Sequence, residues 1–263
     1  MYIECISLKK TSILLLLVIL CGCGGDDSSG NNIGGGQEPP FEGTIFITPD
    51  IIQDTDPTSF VSLNYVGQSD RKMLDRRSDK FITYNAHLYI ASFDDGVALE
   101  IQVNPEFPID EATNEAEKYS IVVGQIPYTL RKALTDVSIH AGDAPFSGDD
   151  KNIVIHTIQG EEYISEGILA ETLIHETVHA VLDEDHKRAT AWANAQQQDL
   201  GFISTYAQNN PFREDLAESF VPYLAVRYKS DRISLKLKET ITSTMQHRIN
   251  YFEGLAIEIY PME

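Results

Sequence analysis

Residues 169–186 read LAETLIHETVHAVLDEDH, and two histidines in this stretch bracket a glutamate in the order H-E-x-x-H. Residues four apart lie on one face of an α-helix, so His175 and His179 can present both imidazoles to one metal ion. Zn²⁺ is the metal that this pair suits best. Glu176 would then face the water that the metal holds and could take its proton as general base. The stretch therefore predicts the active-site helix of a zinc hydrolase.

The flanks of the motif predict that its helix is buried, since apolar residues cover most sides: Ile168, Leu169, Leu173, Ile174, Val178, Val181 and Leu182. Two buried histidines and a carboxylate without partners would be costly, and a bound metal relieves that cost. The alternative is an exposed amphipathic helix that carries two solvated histidines.

The third metal ligand can be sought close to the motif. A metzincin pattern would place a glycine three residues and a histidine six residues after His179, but Leu182 and Asp185 occupy those positions. Asp185 or the adjacent His186 could still ligate. Without the glycine, however, the chain lacks the sharp turn that would bring either residue back to the metal.

A stronger candidate lies downstream in residues 204–220, STYAQNNPFREDLAESF. Asn210 can cap a helix that is predicted to begin at Pro211. Glu214 and Glu218 would then lie four residues apart on one face. The pattern suits Glu214 as third ligand and Glu218 as the acid that orients a ligating histidine.

Other residues near these motifs have open roles. Asp215 could replace either glutamate if the helical register differs, and the whole acidic cluster could be an ordinary charged first turn. Tyr206 could donate a hydrogen bond to a developing oxyanion or could simply pack at a helix end. His140 and His156 end predicted strands. His156 could line the cleft, because its strand precedes the motif helix, but a satisfied edge-strand histidine is the main expectation.

Two further features of the predicted helices are expected to be structural. Trp192 is expected to pack in the core. The glutamine run 196–198 is expected to lie on the surface.

The first 22 residues predict a signal peptide. Lys9 and Lys10 precede an apolar run at Ile13–Leu20 that is too short to cross a bilayer. The following Leu-Cys-Gly-Cys sequence predicts lipidation of Cys23, as in bacterial lipoproteins. The alternative is a plain secretory signal with incidental cysteines. We therefore expect an extracytoplasmic protein that a lipid anchors to the outer membrane, on either its periplasmic or its cell-surface face.

After the lipidation site, residues 23–42 are rich in Gly, Ser and Asn and predict a flexible tether. All three cysteines precede residue 24, so the body has no disulfide and no thiolate for catalysis or metal binding. The net charge of −20 disfavours nucleic acid as a partner, because binding a phosphate backbone requires clustered Lys and Arg.

The body, residues 43–263, predicts an α+β fold: a small mixed sheet with a backing helix, the motif helix, and then a helical C-terminal part. Residues 43–101 could instead form a separate β portion. The predicted strands are 81–93, 97–103, 136–140 and 152–157. The predicted helices are 110–134 (capped by Asp110 or Thr113 and split at Pro127), 166–182, 187–200, 211–229 and 231–252.

Two stretches, LIHETVHAVLD and FISTYAQNNPFREDLAESF, resemble the lethal-factor-type branch of zinc metallopeptidases. That resemblance implies a gluzincin, with HExxH, a tyrosine and an E-x-x-A-E third-ligand helix. Here the tyrosine is one residue farther from the glutamate than the branch leads us to expect. Residues 97–229 also resemble zinc metallohydrolase lipoproteins of Gram-negative bacteria, some of them associated with outer-membrane import. This second resemblance implies a zincin fold and possible import partners but gives no substrate.

The combined prediction is a membrane-anchored zinc metallopeptidase that acts on a peptide or protein. A rival from another class is a non-catalytic zincin-fold lipoprotein that binds a glycan or peptide for uptake. A third interpretation is a zinc hydrolase of a non-peptide amide, for which the metal chemistry would be the same.

Overall fold

A computed structural model of the protein describes residues 37–47 and 51–263. The predicted signal peptide, the lipidation site Cys23 and most of the predicted tether lie outside these residues. Within them, Phe41 forms an isolated parallel bridge with Ser204. The folded body therefore begins before the predicted boundary at residue 43.

Six strands form one mixed sheet in the described part of the chain, in the order β1-β2-β3-β4-β6-β5. The strands are β1 Phe60–Asp75, β2 Lys80–Phe93, β3 Ala98–Val103, β4 Asp136–His140, β5 Ser147–Asp149 and β6 Asn152–His156. Neighbours β1, β2 and β3 are antiparallel, β3, β4 and β6 are parallel, and β5 returns antiparallel at the edge. Residues 60–103 thus belong to the same sheet as the later strands.

The predicted hairpin of β2 and β3 is confirmed, with Gly96 at φ +87° in its turn. The sequence did not predict β1 or β5. Most side chains of β1 are exposed or half-buried, so it lacks an apolar pattern. Strand β5 has only three residues and lies inside a Gly- and Asp-rich loop. Both are edge strands, where partners on one side leave the weakest sequence pattern.

Eight helices occur among the described residues: α1 Ile109–Val123, α2 Tyr128–Arg131, α3 Thr157–Glu166, α4 Leu169–His186, α5 Thr190–Gln198, α6 Thr205–Asn209, α7 Asp215–Arg227 and α8 Leu235–Gly254. The split at Pro127 is confirmed. The predicted cap of α1 is wrong, because Pro108 precedes the first residue and Asp110 lies in the first turn. The motif helix does not begin at residue 166, since Gly167 is left-handed and separates α3 from α4.

Helix α7 begins four residues later than predicted. Residues 211–214 form a turn in which the N–H groups of Arg213 and Glu214 both donate to the carbonyl oxygen of Asn210. The N–H of Glu218 then donates to the carbonyl oxygen of Glu214 at 2.9 Å, so the turn passes smoothly into the helix. The spacing of Glu214 and Glu218 on one helical face therefore survives the shifted start.

Helix α4 lies in the main core, where Leu173, Ile174 and Val178 are fully buried. Burying each such side chain stabilises the folded state by about 1.5–3 kcal/mol relative to leaving it exposed to solvent. The helix packs against β5 and β6 of the sheet and against α7. Because of this packing, the face of α4 that carries the two motif histidines is turned toward α7. The predicted α+β class is confirmed. Among the described residues, no helix combines the length and apolarity that crossing a membrane requires.

Candidate metal centre

The two histidines of α4 present their Nε2 atoms to each other. The distance between Nε2 of His175 and Nε2 of His179 is 3.1 Å. Both side chains are mostly buried, with 13% and 11% of their surface exposed. The helical spacing of four residues thus brings two potential metal ligands together, as the sequence predicted.

Glu214, at the start of α7, brings a carboxylate to the same point. Its Oε2 lies 3.1 Å from Nε2 of His179 and 3.6 Å from Nε2 of His175. Two zinc ligands at tetrahedral angles and bond lengths of 2.0–2.2 Å lie about 3.3–3.5 Å apart. The three observed separations, 3.1, 3.1 and 3.6 Å, differ from this spacing by about 0.1–0.2 Å, so small side-chain movements would let the three atoms share one metal ion. In the part of the chain that the structure describes, no other group of three or more His, Cys, Asp or Glu residues brings its ligand atoms within 4.8 Å of one another.

Asp183, which the sequence analysis did not identify, hydrogen-bonds to the ring nitrogen of His179 that points away from the cluster. Nδ1 of His179 donates to Oδ2 of Asp183 at 3.0 Å, and Lys187 donates to the same oxygen at 3.0 Å. A proton fixed on Nδ1 leaves the Nε2 lone pair directed at the cluster. The signal was present in the sequence, because Asp183 follows His179 by one helical turn.

The groups around the cluster favour the positively charged form of His179 and the negatively charged form of Glu214. Burial lowers the pKa of His179, but hydrogen bonds to Asp183 and Glu214 outweigh it and raise that pKa to about 10. Burial opposes ionisation of Glu214, yet hydrogen bonds from His175 and His179 hold its pKa far below the usual range. A proton or a metal ion is therefore favoured between these side chains.

Glu218 stands behind the other histidine. Its Oε1 lies 3.7 Å from Nδ1 of His175, while its Oε2 accepts hydrogen bonds from the hydroxyl of Ser204 and the N–H of Ile45. Burial raises the pKa of Glu218, and the nearby His175 opposes that rise. The structure thus places Glu218 where the sequence predicted an orienting acid.

The carboxylate of Glu176 makes no hydrogen bond or ion pair with another described residue, although its charge acts on His179 and Tyr163. The backbone of Glu176 lies against β5, where a Cβ added to Gly148 would overlap its carbonyl oxygen. The glycine thus permits the close approach of the edge strand to α4. Glu176 remains available to take a proton beside the cluster.

Tyr206 lies on α6 and is half-buried. Burial, followed by the nearby carboxylate of Glu214, raises the pKa of Tyr206 to about 12. Its hydroxyl therefore stays protonated at neutral pH and can donate a hydrogen bond. Ser204 caps α6 by accepting from the N–H of Ala207 at 3.1 Å, which fixes the helix that carries the tyrosine.

The alternative in which Asp215 replaces Glu214 or Glu218 at the metal centre is wrong. Oδ2 of Asp215 accepts from Nε of Arg248 at 2.9 Å and from Gln196 at 2.8 Å. One residue along a helix turns the side chain by about 100°, which directs Asp215 away from α4.

The two alternative ligands on α4 also lie elsewhere. Asp185 is exposed, and Nδ1 of His186 is 2.7 Å from the hydroxyl of Tyr251. Neither belongs to the group formed by His175, His179 and Glu214.

The expectations for the remaining residues were partly wrong. Trp192 is buried, as predicted, but Gln196 is buried too because its amide bridges Asp215 and the carbonyl of Pro211. His140 and His156 end interior strands rather than edge strands, and their buried rings stack with centroids 5.2 Å apart. Each is hydrogen-bonded through Nδ1 only, and neither belongs to the metal-ligand group.

Compared with protein-family models, with curated proteins and with solved structures, the chain gives no significant match. Function is therefore inferred from the residues and their geometry.

Proposed function

We propose that this chain is a zinc-dependent metallopeptidase of the zincin type, with His175, His179 and Glu214 as the metal ligands. The observation that carries the proposal is the convergence of three ligand atoms near Glu176, whose carboxylate has no hydrogen-bond or ion-pair partner among residues 37–47 and 51–263. Two imidazoles and one carboxylate leave a coordination position for water, as in catalytic rather than structural zinc sites. A structural site would have no use for Glu176 beside the metal.

The residues of the chain divide the chemistry among them. When bound, the zinc ion would supply an electrophile that polarises water and a substrate carbonyl. Glu176 takes the proton from the attacking water and passes it to the leaving amine. Tyr206 donates a hydrogen bond to the carbonyl oxygen as negative charge develops there. Asp183 and Glu218 keep the two imidazoles oriented.

The edge strand beside the site supports a peptide as substrate. Within the described residues, β5 pairs with β6 and with no other strand, and it lies directly against the backbone of Glu176. An extended peptide can add to a free sheet edge through backbone hydrogen bonds. Such pairing would lay an extended peptide along the sheet edge that packs against the motif helix at Glu176, which favours peptide hydrolysis over hydrolysis of an unrelated amide.

Localisation follows from the N-terminal sequence alone. We propose that Cys23 is lipidated and that the enzyme is anchored to the outer membrane outside the cytoplasm. Its cysteine-free body suits export, because no thiol in it can form an incorrect disulfide. Contact with an outer-membrane import system is part of this proposal.

Substitution of Glu176 tests the mechanism. Glu176→Gln should keep one zinc ion per chain and slow cleavage of a peptide mixture by roughly 10²–10⁴-fold, the usual contribution of a general base. Glu184→Gln changes an exposed acid of the same helix and is the matched control. Cleavage products would be measured by mass spectrometry. Full activity of the Glu176→Gln protein would exclude the mechanism, and zinc binding without any cleavage by the unaltered chain would favour a binding module.

A further inference from the structure

The N-terminal segment 41–47 runs beside the helices that form the candidate metal centre. The carbonyl oxygens of Phe41 and Gly43 accept from the N–H groups of Thr205 and Tyr206 at 2.9 and 3.2 Å. The N–H of Gly43 donates to the hydroxyl oxygen of Thr205 at 2.8 Å. The segment is thus joined to the start of α6, the helix that carries Tyr206.

Two further N–H groups of the segment donate hydrogen bonds to buried acids. The N–H of Ile45 donates to Oε2 of Glu218 on α7 at 3.2 Å. The N–H of Ile47 donates to Oε2 of Glu171 at 2.9 Å, one turn before His175 on α4. Both isoleucine side chains are buried, with 5% and 1% exposure. The segment therefore links the two helices that supply the ligands.

The contact at Glu218 has a consequence for His175. Ile45 and Ser204 both donate to Oε2, so the carboxylate cannot rotate without losing two buried hydrogen bonds. Oε1 is buried, has no hydrogen-bond partner among the described residues, and lies 3.7 Å from Nδ1 of His175. A small movement of the imidazole would close this gap and satisfy the oxygen.

We propose that segment 41–47 is a positioning element of the metal centre, in which the N–H of Ile45 and the hydroxyl of Ser204 aim Glu218 at His175. The inference rests on the proposed metal site and assigns these groups a role in it. A ligating histidine whose second nitrogen loses its acceptor binds metal about 10–100-fold more weakly. The segment thus contributes to metal affinity although none of its atoms is a ligand.

Proline substitution tests the backbone donor. Ile45→Pro removes the N–H that Glu218 accepts, and we expect zinc affinity to fall by about 10–100-fold. Phe46→Pro is the matched control, because the N–H of Phe46 makes no hydrogen bond with a described residue and its side chain is partly exposed. The control should keep the affinity of the unaltered chain. Zinc affinity of the full chain would be measured by competition with a chelator.

A serine pair keeps the test decisive if the proline unfolds the chain. Ser204→Ala removes the second donor to Glu218 together with the cap of α6. Ser234→Ala removes an equivalent cap, since Ser234 accepts from the N–H of Leu237 at 3.1 Å, without touching Glu218. Only Ser204→Ala should weaken zinc binding and alter the visible spectrum of the Co²⁺-loaded protein. Unfolding of the metal-free variants would be followed in parallel.

The outcomes separate this inference from the proposed function. If the unaltered chain binds zinc and Ile45→Pro and Ser204→Ala bind it as tightly as their controls, the segment has no positioning role and the inference is overturned. If the unaltered chain binds no zinc, the proposed function fails and the inference fails with it.

Discussion

Glu214 and Asp215 are consecutive residues, and both are buried at the start of α7, yet their partners differ in kind. Asp215 meets the guanidinium of Arg248, a permanent charge that also contacts Asp199 and the carbonyl oxygen of Gly201. Glu214 meets two imidazoles, which carry a positive charge only when protonated. Its other oxygen also forms an ion pair with a guanidinium, Arg213 at 3.0 Å, but that side chain is 76% exposed, so solvent screens its charge, whereas Arg248 is fully buried.

Asp215 is therefore a structural acid, whereas Glu214 is suited to binding a cation. The chain itself supplies the buried charge that Asp215 needs, so its network is complete on folding. Around Glu214, by contrast, the carboxylates of Glu214, Glu218 and Asp183 surround two imidazoles, and a shared proton or a metal ion would balance their negative charge. Substitutions that remove partners from each acid in turn test this difference.

The largest effect is expected on the structural side. Arg248→Met removes the guanidinium that pairs with Asp199 and Asp215 and leaves both acids buried without it, which should lower the free energy of unfolding by about 3–5 kcal/mol. Denaturant unfolding of the metal-free protein would measure the change. The folded fraction should bind zinc as before. A loss of zinc affinity without a loss of stability would contradict the division between the two faces.

An intermediate effect, on zinc affinity, is expected at Asp183, which accepts the hydrogen bond from Nδ1 of His179. Asp183→Ala removes the acceptor of His179 and should weaken zinc binding by about 10–100-fold, or about 1.4–2.7 kcal/mol. Asp185→Ala, on the same helix but exposed, should leave zinc affinity unchanged. Equal effects from the two substitutions, measured by chelator competition, would show that Asp183 acts only through the net charge of the helix.

The smallest effect is expected at the rim of the structural network. Gln196→Ala removes one of the donors to Asp215 and should cost about 1–2 kcal/mol of stability. Gln197→Ala, at the exposed neighbour, should change stability by less than about 0.5 kcal/mol. Thermal unfolding would compare the two. A larger loss from the exposed position would mean that Gln196 does not stabilise Asp215.

Local spacing was enough to predict the parts of the site that depend on helical geometry. His175 and His179 need only the period of α4, and Glu214 and Glu218 keep their relation because residues 211–214 already wind helically. Asp183 obeys the same spacing, but the acidic run that follows it resembles a solvated helix end. Asp215 was predicted to replace either glutamate only if the helical register differed, and its contacts with Arg248 and Gln196 show that the register with Glu214 and Glu218 on one face is the observed one.

Long-range contacts could not be predicted in the same way. The hydrogen bond from Ile45 to Glu218 joins residues 173 apart in the chain, and a backbone N–H has no side-chain signature. Gln196 resembles its exposed neighbours in sequence and is buried because α7 and α8 place Asp215 and Arg248 beside it. Strands β1 and β5 lack an apolar pattern because, in the part of the chain that the structure describes, each has a strand partner on one side alone.

The most direct test of the central claim is zinc binding by the full chain and by variants of the two neighbouring acids. One zinc ion per chain is expected in the unaltered protein. Glu214→Gln should lower zinc affinity by on the order of 100-fold or more, since losing a ligand costs at least as much as losing an outer partner. Asp215→Asn should still bind zinc with the affinity of the unaltered chain, although it unfolds more easily. Equal affinity in all three proteins, or no zinc in the unaltered chain, would contradict the account.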